Sequence, residues 1–128
     1  MDNREKFYHC PICGNFFGVI HDAGPIPVCC NQPMISVEAN SEEASLEKHI
    51  PEVEVHENKV IVKIGAVPHP MIPAHYIQWV FVVTNLGRHR VPLQPDQAPE
   101  AEIALLPNEK PLRVYEYCNI HGLWIKEL

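Results

Sequence analysis

At 128 residues the chain has room for one medium domain or two small ones. With 46% hydrophobic and 20% charged residues it has the composition of a folded chain, which excludes wholesale disorder. Ten Lys and Arg against sixteen Asp and Glu leave a net charge of −6, which argues against nucleic acid or an anionic membrane as partner, because both require a basic surface.

The opening residues, Met1-Asp2-Asn3-Arg4-Glu5-Lys6, are charged and lack the apolar core of a signal peptide, so a cytoplasmic location is expected. Thirteen prolines, about twice the usual ~5% share, favour short strands and fixed turns over long helices. Residues 1–36 hold Cys10, Cys13, Cys29 and Cys30 and too little apolar material to fold alone. A segment of that size usually needs a metal or disulfide staple. Residues 37–48 are polar and acidic, and read as a linker with a helical turn after Ser41.

From His49 onward the pattern is β. Val53–His56 and Val60–Ile64 alternate on either side of a turn, as a hairpin does. Tyr76–Thr84 is a β-branched and aromatic strand whose odd members Ile77, Trp79, Phe81 and Val83 are expected to face the core. Further strands are expected at 88–93, 101–106, 111–118 and 122–128, which together suggest a β-sandwich. No Asp, Glu, Lys or Arg lies between Lys63 and Arg88, but Pro68, Pro70 and Pro73 break this stretch. Its apolar part, Tyr76–Val83, is too short to span a bilayer.

Five cysteines are an odd set, and disulfides are rare in a reducing cytosol, so metal ligation or thiol chemistry is the better reading. Cys10-Pro11-Ile12-Cys13 and Cys29-Cys30 supply four thiolates from two short segments, enough to close a tetrahedron. The adjacent second pair is unusual, since neighbours on a regular strand point to opposite faces, and a distorted site is expected. Both a structural zinc and an Fe(S-Cys)4 redox centre fit this spacing.

Four of the eight histidines have settings that a site would need. His49 follows the linker, His69 and His75 lie in a loop stiffened by prolines, and His121 sits three residues beyond Cys118. Cys118 and His121 can share one metal across a tight turn. His56 and His89 lie beside turns, where contact with solvent is expected. A cysteine–histidine loop late in a sandwich also suggests a copper site, but no methionine follows Cys118 to serve as its weak axial ligand.

These stretches together resemble desulfoferrodoxin, the two-iron form of superoxide reductase. The motifs are Cys10-x-x-Cys13 with Cys29-Cys30-Asn31-Gln32-Pro33-Met34, then Glu47-Lys48-His49-Ile50-Pro51, His69-Pro70-Met71 with His75-Tyr76-Ile77-x-Trp79-Val80, and Cys118-Asn119-x-His121-Gly122-Leu123-Trp124. The resemblance implies a desulforedoxin-like domain at 1–36, a linker at 37–48 and an immunoglobulin-like sandwich at 49–128. It implies that Cys10, Cys13, Cys29 and Cys30 hold one iron, with zinc as a possible substitute. His49, His69, His75, His121 and the axial Cys118 would hold a second. Glu47 would be the sixth ligand in the ferric state, and Lys48 would assist the substrate. The implied partners are superoxide, an electron donor such as rubredoxin, and a second copy of the chain in a homodimer. A rubredoxin-like electron carrier without catalysis is the alternative.

Overall fold

The computed structural model of the protein describes residues 4–41, 49–65 and 69–128. The expected all-β architecture holds, with no helix among the described residues. The chain divides into two compact units, Met1–Glu38 and Ala39–Leu128. The helical turn expected after Ser41 lies outside the described residues.

The first unit contains β1 (Phe7–His9), β2 (Phe16–Gly18), β3 (Val28–Cys29), β4 (Gln32–Pro33) and β5 (Ile35–Ser36). β1 pairs antiparallel with β2 on one side and β5 on the other, and β3 and β4 form a separate hairpin. Its small core is Tyr8, Cys10 and Met34, with Phe7 also buried. So little buried apolar area cannot alone offset the ordering of nearly forty residues.

The second unit contains β6 (Pro51–Val55), β7 (Lys59–Ile64), β8 (Ile77–Thr84), β9 (Arg88–Pro92), β10 (Glu100–Ala104), β11 (Pro111–Cys118) and β12 (Gly122–Glu127). One antiparallel sheet has the order β10-β7-β6 and the other β12-β11-β8-β9. Val60, Val62, Ile64 and Ile103 from the first sheet meet Val80, Val82 and Val114 from the second in one buried cluster. Two sheets sharing one apolar layer make a sandwich. Ahead of β6, Asn40 is tied to β12: its N–H donates to the Leu123 carbonyl (2.8 Å) and its own carbonyl accepts from the Ile125 N–H (3.0 Å).

The facing of β8 differs from the expectation. Its even members Val80 and Val82 enter the core, whereas Trp79 and Phe81 lie half-exposed on the outer face beside Tyr117 and Tyr115. Every residue of β8 from Trp79 to Val83 is apolar, so alternation alone could not choose a face. Ile77 does reach the core, because the pairing of β8 with β11 shifts register between Tyr117 and Cys118. That bulge sets Ile77 and Cys118 side by side on the inner face.

His89 also departs from expectation, being bonded rather than solvated. Glu109 is buried, at 6% exposure, and its carboxylate lies 2.8 Å from His89 Nε2. It also accepts from Thr84 Oγ1 at 2.6 Å and from the Leu106 N–H at 3.0 Å. This clamp ties the β8–β9 turn to the β10–β11 connection. His89 first, then Thr84, hold the Glu109 carboxyl at about 2, below its ordinary 4.5. A carboxyl lowered in the folded state stabilises the fold fully above its unfolded value and loses that contribution as pH falls through the folded value. Glu109→Gln should therefore lower the urea midpoint at neutral pH, and the gap from wild type should close between pH 4.5 and about 2. A gap that stays constant over that range contradicts the clamp.

Candidate metal centres

The first donor group forms because two tight turns aim four sulfurs at one point. In the Cys10–Cys13 turn the Gly14 N–H donates to the Cys10 carbonyl (2.9 Å), and the Cys10 N–H donates to the Asn15 carbonyl (2.9 Å). Gly14 has φ +85°, in the left-handed region that favours glycine. The adjacent cysteines converge through a different device. Cys30 and Asn31, the two residues between β3 and β4, have φ 52° and 62°. Two consecutive left-handed residues make the primed hairpin turn, which rotates Cys30 out of the strand alternation that Cys29 obeys.

The four sulfurs lie within 4.8 Å of one another, and Cys13 Sγ is 3.6 Å from Cys29 Sγ. A tetrahedral metal with bonds of ~2.3 Å to sulfur sets its ligands ~3.8 Å apart, so the spacing fits. The donor chemistry fits as well. The Cys13 backbone N–H brings the Cys10 thiol down to about 6, while the Cys13 sulfur pushes the Cys30 thiol up to about 12 and raises Cys29 too. One thiolate forms readily and its neighbours resist further negative charge. A cation among them removes that conflict.

The second group draws on three separated stretches: His49 before β6, His69 and His75 in the loop before β8, and Cys118 and His121 around the β11–β12 turn. All five donor atoms lie within 4.8 Å of one another. The imidazole rings touch in a closed cycle, His49–His69 at 4.7 Å, His69–His75 at 4.8 Å, His75–His121 at 5.1 Å and His121–His49 at 4.9 Å. Such a cycle is what four ligands in a square produce. The His49 and His69 Nε2 atoms are 3.1 Å apart, close to the ~3 Å edge of a square with metal–nitrogen bonds of ~2.1 Å. Cys118 Sγ lies 3.6 Å from His69 Nε2 and 3.9 Å from His121 Nδ1, two opposite corners of the cycle. A sulfur nearly equidistant from those two corners lies near the plane that bisects them, which contains the axis of the square.

Neighbouring groups fix these side chains. His69 Nδ1 lies 2.8 Å from the Pro70 carbonyl, which accepts its proton and leaves the Nε2 lone pair facing the other donors. The buried Nε2 of His75 makes no hydrogen bond, as a metal-facing nitrogen would not. The His121 backbone N–H donates to Cys118 Sγ at 3.5 Å. Trp124 stacks on His49 (4.6 Å between centroids, 11° between planes), and its Nε1–H donates to the His121 carbonyl at 3.2 Å. Met71 Sδ accepts from the Ile77 N–H at 3.4 Å and anchors the loop that carries His69 and His75. Sequence reasoning gave Trp124 and Met71 no role, although an indole three residues beyond a candidate ligand was a usable signal.

His49, His69 and Cys118 are buried, His75 is half-buried and His121 is exposed. Among the described residues the group contains five donors. Glu47, Lys48 and Pro68 lie outside the described residues.

The model of the desulfoferrodoxin family matches residues 41–127, and that of the desulfoferrodoxin N-terminal domain matches residues 2–37. The chain belongs to the desulfoferrodoxin family. It is 41% identical over 127 residues to a desulfoferrodoxin of Syntrophotalea carbinolica, covering 99% of both chains. The crystal structure of the superoxide reductase from Treponema pallidum superposes with a TM-score of 0.86 at 36% identity, covering 98% of this chain and 100% of that one. A one-iron superoxide reductase from Giardia intestinalis is 32% identical with a TM-score of 0.52, and covers 64% of this chain and 99% of its own. The two donor groups match the two iron centres of the family.

Since the two groups lie in separate units, they should load independently. Cys13→Ser should reduce iron from two per chain to one, with the visible band of the five-donor centre retained. Loss of both irons on metal analysis contradicts this independence.

Proposed function

We propose that the protein is a superoxide reductase, in which residues 49–128 carry the reaction and residues 1–36 hold a second, electron-exchanging iron. What supports this is the five-donor group, four imidazoles in a cycle with one thiol beside two opposite members of it. A ferrous ion held there supplies the single electron that turns superoxide, with two protons, into hydrogen peroxide.

The chain's own residues set the charge of the pocket. Four imidazoles bind as neutral ligands, so one thiolate against a divalent cation leaves a net positive cradle that attracts a small anion. Cys118 would be the one anionic ligand of the ion, and the His121 N–H hydrogen bond to its sulfur would moderate the electron density it donates. Glu47, two residues before His49, is assigned the closing role: its carboxylate would serve as a further anionic ligand to ferric iron. Lys48 is assigned to the substrate, which it draws in by charge.

The first group suits a different task. Four thiolates around iron leave a net negative centre, which disfavours anion binding and suits outer-sphere electron exchange. An electron donor such as rubredoxin, a homodimeric assembly and a cytoplasmic location complete this reading, and zinc at the first group would leave the catalytic unit intact. A rubredoxin-like electron carrier would need the first group alone, and it would leave the converged second group without use.

With a net charge of −6 the chain repels superoxide at long range, so local positive charge must capture it. Such focusing raises on-rates ~10–10³-fold. In pulse radiolysis the reduced protein should yield one hydrogen peroxide per superoxide and no dioxygen. Lys48→Ala should slow the second-order step about tenfold and flatten its dependence on ionic strength. Dioxygen release at half the superoxide consumed would contradict the reductase reading, and an unchanged rate in the variant would remove Lys48 from capture.

A further inference from the structure

His75 sits in the loop between β7 and β8, two residues ahead of β8. Its backbone pairs with Ile72 in both directions (3.1 and 3.0 Å), a small closed bridge within the loop, and the Met71 carbonyl ties that loop to the Asp96 N–H (2.7 Å). The connection to the axial ligand comes from Asn119, which immediately follows Cys118. The Asn119 N–H donates to the Tyr76 carbonyl (3.3 Å), its Oδ1 accepts from the Tyr76 N–H (2.9 Å), and its Nδ2 donates to the Ala74 carbonyl (3.1 Å). Both partners of the side chain are backbone groups with fixed roles, which sets the orientation of the amide. Asn119 thus grips the chain on both sides of His75. We propose that Asn119 is a positioning residue that locks His75 to Cys118 and thereby sets the field of the five-donor centre.

The fold carries its own control. At the β8–β9 turn Asn85 makes the same arrangement with Lys110 and Asn108. Its N–H donates to the Lys110 carbonyl (3.0 Å), its Oδ1 accepts from the Lys110 N–H (2.7 Å), and its Nδ2 donates to the Asn108 carbonyl (3.0 Å). Each asparagine grips one residue and the residue two positions before it. Neither Asn85 nor its partners belong to a donor group. Both braces join two loops of the sandwich, and only one joins two ligands. A general contribution to stability is therefore common to both, and an effect on iron is specific to Asn119.

The inference rests on the reading that the five-donor group holds iron. The test challenges the two-iron protein anaerobically with a ferrous chelator and records the EPR and thiolate charge-transfer band of the oxidised second centre. Loss of an outer partner of a ligand typically costs 10–100-fold in metal affinity. Asn119→Ala should weaken iron at the five-donor centre about tenfold and shift its EPR and visible band, with the four-thiolate centre unchanged. Asn85→Ala should leave iron affinity and both spectra within about twofold of wild type. Asn119→Asp keeps the acceptor for the Tyr76 N–H and loses the donor to Ala74, so it should fall between the two. It also decides the question if Asn119→Ala does not fold. Equal effects from the Asn119 and Asn85 variants, or no effect from either, overturn the proposal. Wild-type protein with no iron at the five-donor group overturns the reading beneath it as well.

Discussion

The structure depends on the crowding of electron-rich atoms that repel one another until a cation sits among them. Four imidazoles and a thiol converge within 4.8 Å, and three of the five are buried. Buried polar groups of this kind are tolerated when paired or bound to metal. The free energy of ion binding then becomes part of the stability of the fold. The same holds for the four sulfurs of the first unit, whose apolar core of Tyr8, Cys10 and Met34 is small enough to need it.

Both groups obtain their geometry from backbone devices, each suited to its ligands. In the first unit a left-handed pair, Cys30 and Asn31, rotates a second sulfur inward that an extended strand would have turned away. In the second, a register shift in the pairing of β8 and β11 turns Cys118 toward the core and Ile77 with it. Sheets position such ligands with little play because both strands are held along their length. The loop carrying His75 is held by separate backbone and side-chain bonds, from Asp96 to Met71, from Asn119 to Ala74 and Tyr76, and from Ile77 to the Met71 sulfur.

Much of this was legible beforehand. Cysteine and histidine spacings mark all nine donors, because ligation depends on residue types that have few other reasons to cluster. The strands of the sandwich follow from β-branched runs separated by turn residues, and their bounds fall within a few positions of those observed. The facing of β8 was not legible, because apolar residues on both sides of the strand carry no alternation. Nor was the engagement of His89, whose partner Glu109 is twenty residues away and becomes a neighbour only when the β10–β11 connection folds back. Asn119 reads as one more turn residue. Its reach to Ala74 and Tyr76 spans more than forty positions, and local propensity contains no trace of it.

The division of charge between the two centres follows from the ligands alone. Thiolates in excess make an electron-rich centre that exchanges electrons and turns anions away, whereas neutral imidazoles with one thiolate make a positive one that invites them. A single chain can therefore keep reductant handling and substrate chemistry apart by ligand choice. The most direct test is a crystal structure of the chemically reduced protein with iron located by anomalous scattering. The account predicts two iron positions per chain, one among the four cysteines. The other should lie among His49, His69, His75 and His121 with Cys118 on the axis and no protein atom opposite it. An iron distant from any of those five side chains, or a protein group seated opposite Cys118 in the reduced state, would contradict it.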